Sequence, residues 1–163
     1  MTINNEPATE KFKYNFKLAS GYFNITVKDG INEKVHEDNN VYFFRPGDAS
    51  LIYCVFSEGA FDPSGTYPAL WISTGSALKQ GDYPISPTPG VNEFLGLFAT
   101  YKNGQVGGSH PGTGTLNINA LSNQPELLHI EGAGNFDYQL DDREINVVIN
   151  SFTAQYHPAI FRS

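Results

Sequence analysis

His129 and Glu131 stand two residues apart in Leu128-His129-Ile130-Glu131, so in an extended chain both side chains emerge on one face. An imidazole beside a carboxylate can begin an acid–base pair or a metal site, since the carboxylate orients the ring and favours its protonated form. Either chemistry needs a third group brought from elsewhere in the chain, and without one the pair reads as surface charge. The other histidines, His36, His110 and His157, are far apart, with neither an H-x-H pair nor an HExxH helix to present two ligands to a metal.

Nucleophiles fare no better. Cys54 is the only cysteine and sits in the apolar run Leu51-Ile52-Tyr53-Cys54-Val55-Phe56, the setting of a small buried thiol rather than an activated one. Gly107-Gly108-Ser109-His110-Pro111 misses the nucleophile-elbow pattern and its strand-to-helix corner. Asp137, Asp141, Asp142 and Glu144 gather at one turn without the spacing or central glycine of a calcium loop, so they read as solvated turn charge. Gly112 with Gly114, and Gly132 with Gly134, lack the third glycine and following helix of a dinucleotide site. Arg45-Pro46-Gly47-Asp48 is similar to the turn cupins carry between strands, but that family's histidine-rich metal motif is absent. No cofactor and no metal are expected. An enzyme would have to be assembled in space from His129, Glu131 and a distant residue.

Aromatic side chains offer a different chemistry. Tyr67, Trp71, Tyr83 and Tyr101 lie at strand ends or in segments rich in Gly, Pro and Ser, and four rings brought together would stack on sugars or flat ligands. The competing reading makes Trp71, the only tryptophan, a core residue sharing a strand face with Ala69 and Ser73.

The elements that must position these groups are strands. Period-two alternation recurs along the chain, and a sustained helical period appears nowhere. Strands are expected over Lys11–Leu18, Tyr22–Lys28, Val41–Arg45, Ser50–Ser57, Tyr67–Thr74, Glu93–Tyr101, Thr113–Ala120, Glu126–Glu131, Asn135–Leu140 and Glu144–Tyr156, the last as one bent strand or two. Ile31–His36 and Ser76–Gln80 are the only candidates for helical turns. Asp29-Gly30 and Asn103-Gly104 predict tight hairpins. Gly75–Asn92 and Lys102–Gly112 read as long surface loops, and a ligand site is expected where they emerge.

Phe23, Ile25 and Val27 alternate with polar residues, as do Phe136, Tyr138 and Leu140, giving strands with one wet face. Leu51–Phe56, Ala69–Ile72 and Phe94–Ala99 are apolar on both faces. Their second face must meet another sheet, a subunit or a ligand, and a homodimer is one expected solution.

The chain therefore reads as a polar tail over residues 1–10 and a single all-β domain over 11–163, an antiparallel β-sandwich of about ten short strands. The alternative is a closed or partly open lipocalin-like barrel. A formal net charge of −7 with only 17% charged residues opposes nucleic acid as a partner. No stretch has the composition of a membrane span or signal peptide, which makes the cytoplasm the default location. The expected function is a non-catalytic module binding a protein or carbohydrate through loops at one end; a lipocalin-like carrier of a small hydrophobic ligand is the alternative. Far-ultraviolet circular dichroism should be dominated by β-structure, and a helix content near one-third, the level of ordinary domains, would overturn this class.

Overall fold

A computed structural model describes residues 20–124 and 127–156. The strands are β1 (Ser20–Asp29), β2 (Asn32–Asp38), β3 (Val41–Phe44), β4 (Ser50–Val55), β5 (Thr66–Thr74), β6 (Gly81–Ile85), β7 (Leu95–Lys102), β8 (Gln105–Pro111), β9 (Thr113–Gln124), β10 (Leu127–Leu140) and β11 (Arg143–Tyr156). Sheet A has the order β2-β1-β11-β10-β9-β6 and sheet B the order β3-β4-β5-β7-β8, every pairing antiparallel. The sheets do not close on each other, so the architecture is a β-sandwich rather than a barrel. No helix among the described residues is long and apolar enough to cross a membrane. The expected strand Lys11–Leu18 and His157 lie outside the described residues.

Alternation decides which side chains enter the core. From sheet A come Phe23, Ile25, Ile118, Ile130, Phe136, Val147 and Phe152; from sheet B come Phe43, Ile52, Cys54, Leu70 and Ile72, all essentially without exposure. Burying a side chain of this size contributes about 1.5–3 kcal/mol, so these rows dominate the stability of the fold.

Three segments differ from the sequence reading. Ile31–His36 is not a helical turn: Gly30 and Ile31 turn the chain back and β2 pairs along β1 from Asn32↔Asp29 to Asp38↔Phe23. Its Glu33, Lys34 and Glu37 hide any strand alternation, and they suit an edge strand, where charge discourages pairing with other chains. Ser76–Gln80 likewise contains no helix. The two supposed long loops each hold a strand. β6 lies within Gly75–Asn92 and pairs with β9, with Pro84 tolerated because β6 is an edge. β8 occupies most of Lys102–Gly112, joined to β7 through Asn103 and Gly104, whose φ angles of 49° and 84° are those of a type I′ turn. Gly and Pro composition concealed both strands; backbone pairing with a neighbour makes them.

The two strands expected over Glu126–Leu140 are one, β10, and β11 is a single bent strand. Registers slip at Gly132/Gly134 on β10 and between Asn24 and Ile25 where β1 meets β11. The slips shift the inward parity, so Ile149 and Phe152, three residues apart, both face the core. Asn150 sits in the bulge and its amide nitrogen donates to Asn24 Oδ1 and Thr26 Oγ1, both at 2.8 Å, tying β11 to β1.

Close backbone approach fixes Gly114 on β9, opposite Phe136: a Cβ there would strike the Asn135 carbonyl oxygen and lie 2.6 Å from the Phe136 Cα. Nothing lies within 4 Å of a Cβ at Gly107 on edge strand β8. Gly114→Ala should therefore lower stability by about 1–3 kcal/mol, the range of overpacked sites, while Gly107→Ala changes it by less than about 0.5 kcal/mol. Urea unfolding midpoints of the two variants test this, and equal midpoints would contradict the register of β9 on β10.

Candidate functional site

The two outward faces differ in chemistry. Sheet A presents Asn24, Thr26, Asn117, Asp137 and Asn146, linked by side-chain hydrogen bonds such as Asn117 Nδ2 to Asp82 Oδ1 at 2.7 Å. Sheet B presents aromatic and aliphatic rows. Cross-strand register sets Tyr42 opposite Tyr53, Tyr53 opposite Trp71 and Trp71 opposite Leu97, one line across β3, β4, β5 and β7. On either side run Phe44, Leu51, Ser73 and Leu95, and Val55, Ala69 and Ala99.

The rings of the central row stack face to face. Tyr42 and Tyr53 have centroids 4.6 Å apart and Tyr53 and Trp71 5.7 Å apart, both pairs tilted by only 10°. Directly opposed residues of an antiparallel pair have Cβ atoms about 5 Å apart, which places flat rings at stacking distance. Tyr53 is stacked on both sides, between Tyr42 and Trp71, and each end ring has one stacked neighbour in the row. Trp71 Nε1 donates to Ser73 Oγ at 3.2 Å on its own strand. Trp71, Tyr53 and Leu97 are half-buried and Tyr42 is 5% exposed.

One end of this face is covered by the connection between β4 and β5. Phe61 packs on Tyr67 and Tyr101 at 5.6 and 5.3 Å. Tyr101 donates its hydroxyl to the Pro63 carbonyl at 3.0 Å, and the Tyr67 hydroxyl accepts from the Asp62 N–H at 3.1 Å. The Asp62 carboxylate accepts from the Ser64 N–H and hydroxyl, which hold its pKa below the usual value and fix the turn.

Of the four rings expected to form a platform, Tyr67, Trp71 and Tyr101 share the outer face of sheet B. Tyr83 does not join them: it points into the core from β6, 4% exposed, edge-on to Phe94 at 5.0 Å, and its hydroxyl both donates to the Lys79 carbonyl and accepts the Lys79 N–H. Sequence reasoning missed Tyr42, Tyr53 and Phe61. The signal was the apolar residues at both parities in 51–56, but only strand register aligns Tyr53 with Tyr42 and Trp71.

Other groups with chemical potential are occupied in the fold. His129 Nε2 lies 2.7 Å from Glu131 Oε2, and the Gln155 amide nitrogen is 3.1 Å from His129 Nδ1; since that amide donates, Nε2 carries the proton given to Glu131. The pair forms as its spacing predicts, on the polar face of sheet A. His36, 6% exposed, packs on Phe56 and Phe98 and meets Glu58 through Nδ1 at 2.9 Å. Asp38 accepts the N–H groups of Asn40, Ser57 and Glu58, binding the β2–β3 corner to the chain leaving β4. A shallow cleft of about 340 Å³ at this corner is lined by Tyr22, Glu37, Asp38, Asn39, Glu58 and Gly59. Its Glu37 accepts the Tyr22 hydroxyl at 2.9 Å, so two of its three carboxylates serve as structural acceptors and the third, Glu58, pairs with His36. Cys54 is buried, its thiol pushed well above the ordinary pKa by burial and directed at the Asp38 carbonyl, the state of an unreactive core residue.

No protein-family model matches this chain, and no curated protein or solved structure matches it.

Burial raises the phenol pKa values of the central row, that of Tyr42 to about 12 and that of Tyr53 upward as well, with the neighbouring phenols adding to the shift. In an unfolded chain both ionise near 10, so the folded state favours the neutral ring. The associated stability is complete below pH about 10 and is lost as the pH climbs toward the folded value. Unfolding midpoints should fall over that alkaline window, and Tyr42→Phe with Tyr53→Phe should shrink the fall. An unchanged pH dependence would mean that this row does not lose water on folding.

Proposed function

We propose that this chain is a non-catalytic interaction module that receives an extended protein segment on the outer face of sheet B. The observation that carries this reading is the stacked row Tyr42, Tyr53 and Trp71 flanked by apolar rows on the same face, while the opposite sheet turns a hydrogen-bonded polar face outward. An apolar patch on one side of an otherwise polar surface is the mark of an interaction site.

The ring geometry favours protein over carbohydrate. Sugars bind aromatic side chains by lying on ring faces, and here stacking within the row takes both faces of Tyr53 and one each of Tyr42 and Trp71, which reduces the ring face available to a sugar. Stacked rings flanked by aliphatic rows suit an apolar strand or loop, whose alternate side chains would enter the furrows between rows while its polar side chains face water. The carrier reading has less support, because the space between the sheets is packed with Phe23, Phe43, Phe94, Phe136 and Phe152.

Trp71 is the only tryptophan, so its emission reports on this face alone. A synthetic peptide alternating Phe with Thr or Lys should shift that emission saturably, and Tyr53→Ala should weaken its binding about tenfold, equivalent to about 1.4 kcal/mol. A glycan panel should leave the emission unchanged. Emission that responds to glycans and not to the peptide would replace protein with carbohydrate as the partner; peptide binding indifferent to Tyr53→Ala would move the site off this face.

A further inference from the structure

We infer that edge strand β8 is a self-association surface, on which a second copy of this chain pairs its own β8 antiparallel to the first around a twofold axis through Gly107. The inference goes beyond the reading above and does not depend on what occupies the outer face of sheet B.

The four sheet edges are not alike. β2 carries Glu33, Lys34, Glu37 and Asp38, and β6 is five residues long and includes Asp82 and Pro84. β3 has four residues, is followed by Arg45-Pro46 and lies against the β1 and β11 side of the sandwich, with Phe43 packed on Tyr156. Charge, proline and short length are the means by which edges are kept from pairing with other chains. β8, Gln105-Val106-Gly107-Gly108-Ser109-His110-Pro111, holds no Lys, Arg, Asp or Glu, and among the described residues only β7 pairs with it. The His110 ring stacks on Tyr138 at 5.7 Å and holds the far end of the strand to sheet A.

Alternation locates the open backbone groups. Lys102↔Gln105 closes the two-residue turn and exchanges both backbone bonds, so Gln105 and Gly107 bond to β7 while Val106 and Gly108 turn N–H and C=O to the free side. The open stretch is bounded: the register shifts between Phe98 and Thr100, Pro111 has no N–H, and the Gly112 N–H donates to the Gly96 carbonyl at 3.0 Å. These four open groups lie symmetrically about Gly107. Antiparallel pairing there sets Val106 against the partner's Gly108 and Gly108 against the partner's Val106, which satisfies all four. An axis through Val106 would instead oppose Gly108 to the turn at Gly104.

The approach is unobstructed, since Gly107 is exposed and nothing lies within 4 Å of a Cβ there. A chain of formal net charge −7 repels its copies, and an edge without charged side chains meets that repulsion at its weakest. Pairing over so few residues buries little area, so the dimer is of the weak, reversible kind that dissociates on dilution. It joins two five-stranded sheets into one continuous sheet and sets two outer faces side by side.

The test uses the full chain. Sedimentation should show monomer converting to dimer as concentration rises, and hydrogen exchange at the Val106 and Gly108 amides should slow severalfold over the same range. Gly107→Cys sets two thiols opposite each other in a pair whose Cα atoms lie about 4.5 Å apart, so oxidised glutathione should link it into a dimer that a reductant releases. Cys54 is buried and takes no part. Thr115→Cys, exposed on sheet A, should cross-link about tenfold more slowly. Gly107→Glu should keep the protein monomeric with its β dichroism retained, because two carboxylates would face each other at the axis. A monomer at every concentration up to the millimolar range overturns the inference. So does a dimer whose Val106 and Gly108 amides exchange as fast as in the monomer, or one that survives Gly107→Glu. Equal cross-linking of the two cysteine variants marks random collision and overturns it too. Should Gly107→Glu fail to fold, amide exchange in the unaltered chain decides. Peptide binding to the outer face is a separate readout: either the dimer or the peptide complex can fail while the other forms.

Discussion

A strand apolar at both parities cannot be satisfied by one neighbouring layer, and sheet B is built from three of them, β4, β5 and β7. Their inward rows, through Ile52, Cys54, Leu70, Ile72 and Phe98, pack on sheet A. Their outward rows form a second hydrophobic cluster around Tyr42, Val55, Ala69 and Tyr101, with Phe61 drawn onto it from the β4–β5 connection. The same β-rich composition that fills the core thus gives sheet B a second apolar face, on which Tyr42, Val55, Ala69 and Tyr101 are also buried.

Sheet A solves the complementary problem. Its long strands β9, β10 and β11 must curve to follow the core, and the slipped registers at Gly132/Gly134 and beside Asn24 bend them while resetting which residues face inward. Asn150 fills the bulge with side-chain hydrogen bonds to β1, so the extra residue leaves its polar group satisfied. The bend keeps Phe152 and Ala154 in the core at the end of the sheet that adjoins β3. That corner is also where β1 begins, with Ser20 paired to Gln155.

The titratable groups follow from this arrangement. His36 and Asp38 on edge strand β2 join the residues leaving β4, and Glu58 adopts a φ of 55°, a left-handed conformation held by the Asp38 carboxylate that accepts its N–H. Along the ring row, loss of water raises the phenol pKa values, so these rings stay neutral further into the alkaline range than a solvated phenol does.

Much of the fold was legible in the sequence because strand alternation and turn chemistry are local. The hairpin at Asn103-Gly104 needed two residues that tolerate positive φ, and the doubly apolar runs 51–56 and 94–99 announced a second face requiring cover. The His129 and Glu131 pair was equally local, since residues two apart on a strand share a face. Edge strands β2, β6 and β8 were not legible: their Glu, Lys, Gly and Pro residues carry no strand signal, and they are extended because a neighbouring backbone offers unpaired N–H and C=O groups. The candidate site depended on tertiary structure for the same reason. Spacing put Tyr67 and Trp71 on one strand, but whether Tyr101 joined them and Tyr83 left for the core was decided by which strands pair and in what register. One step of slip would have sent each ring of Tyr42, Tyr53 and Trp71 to the opposite face of the sheet.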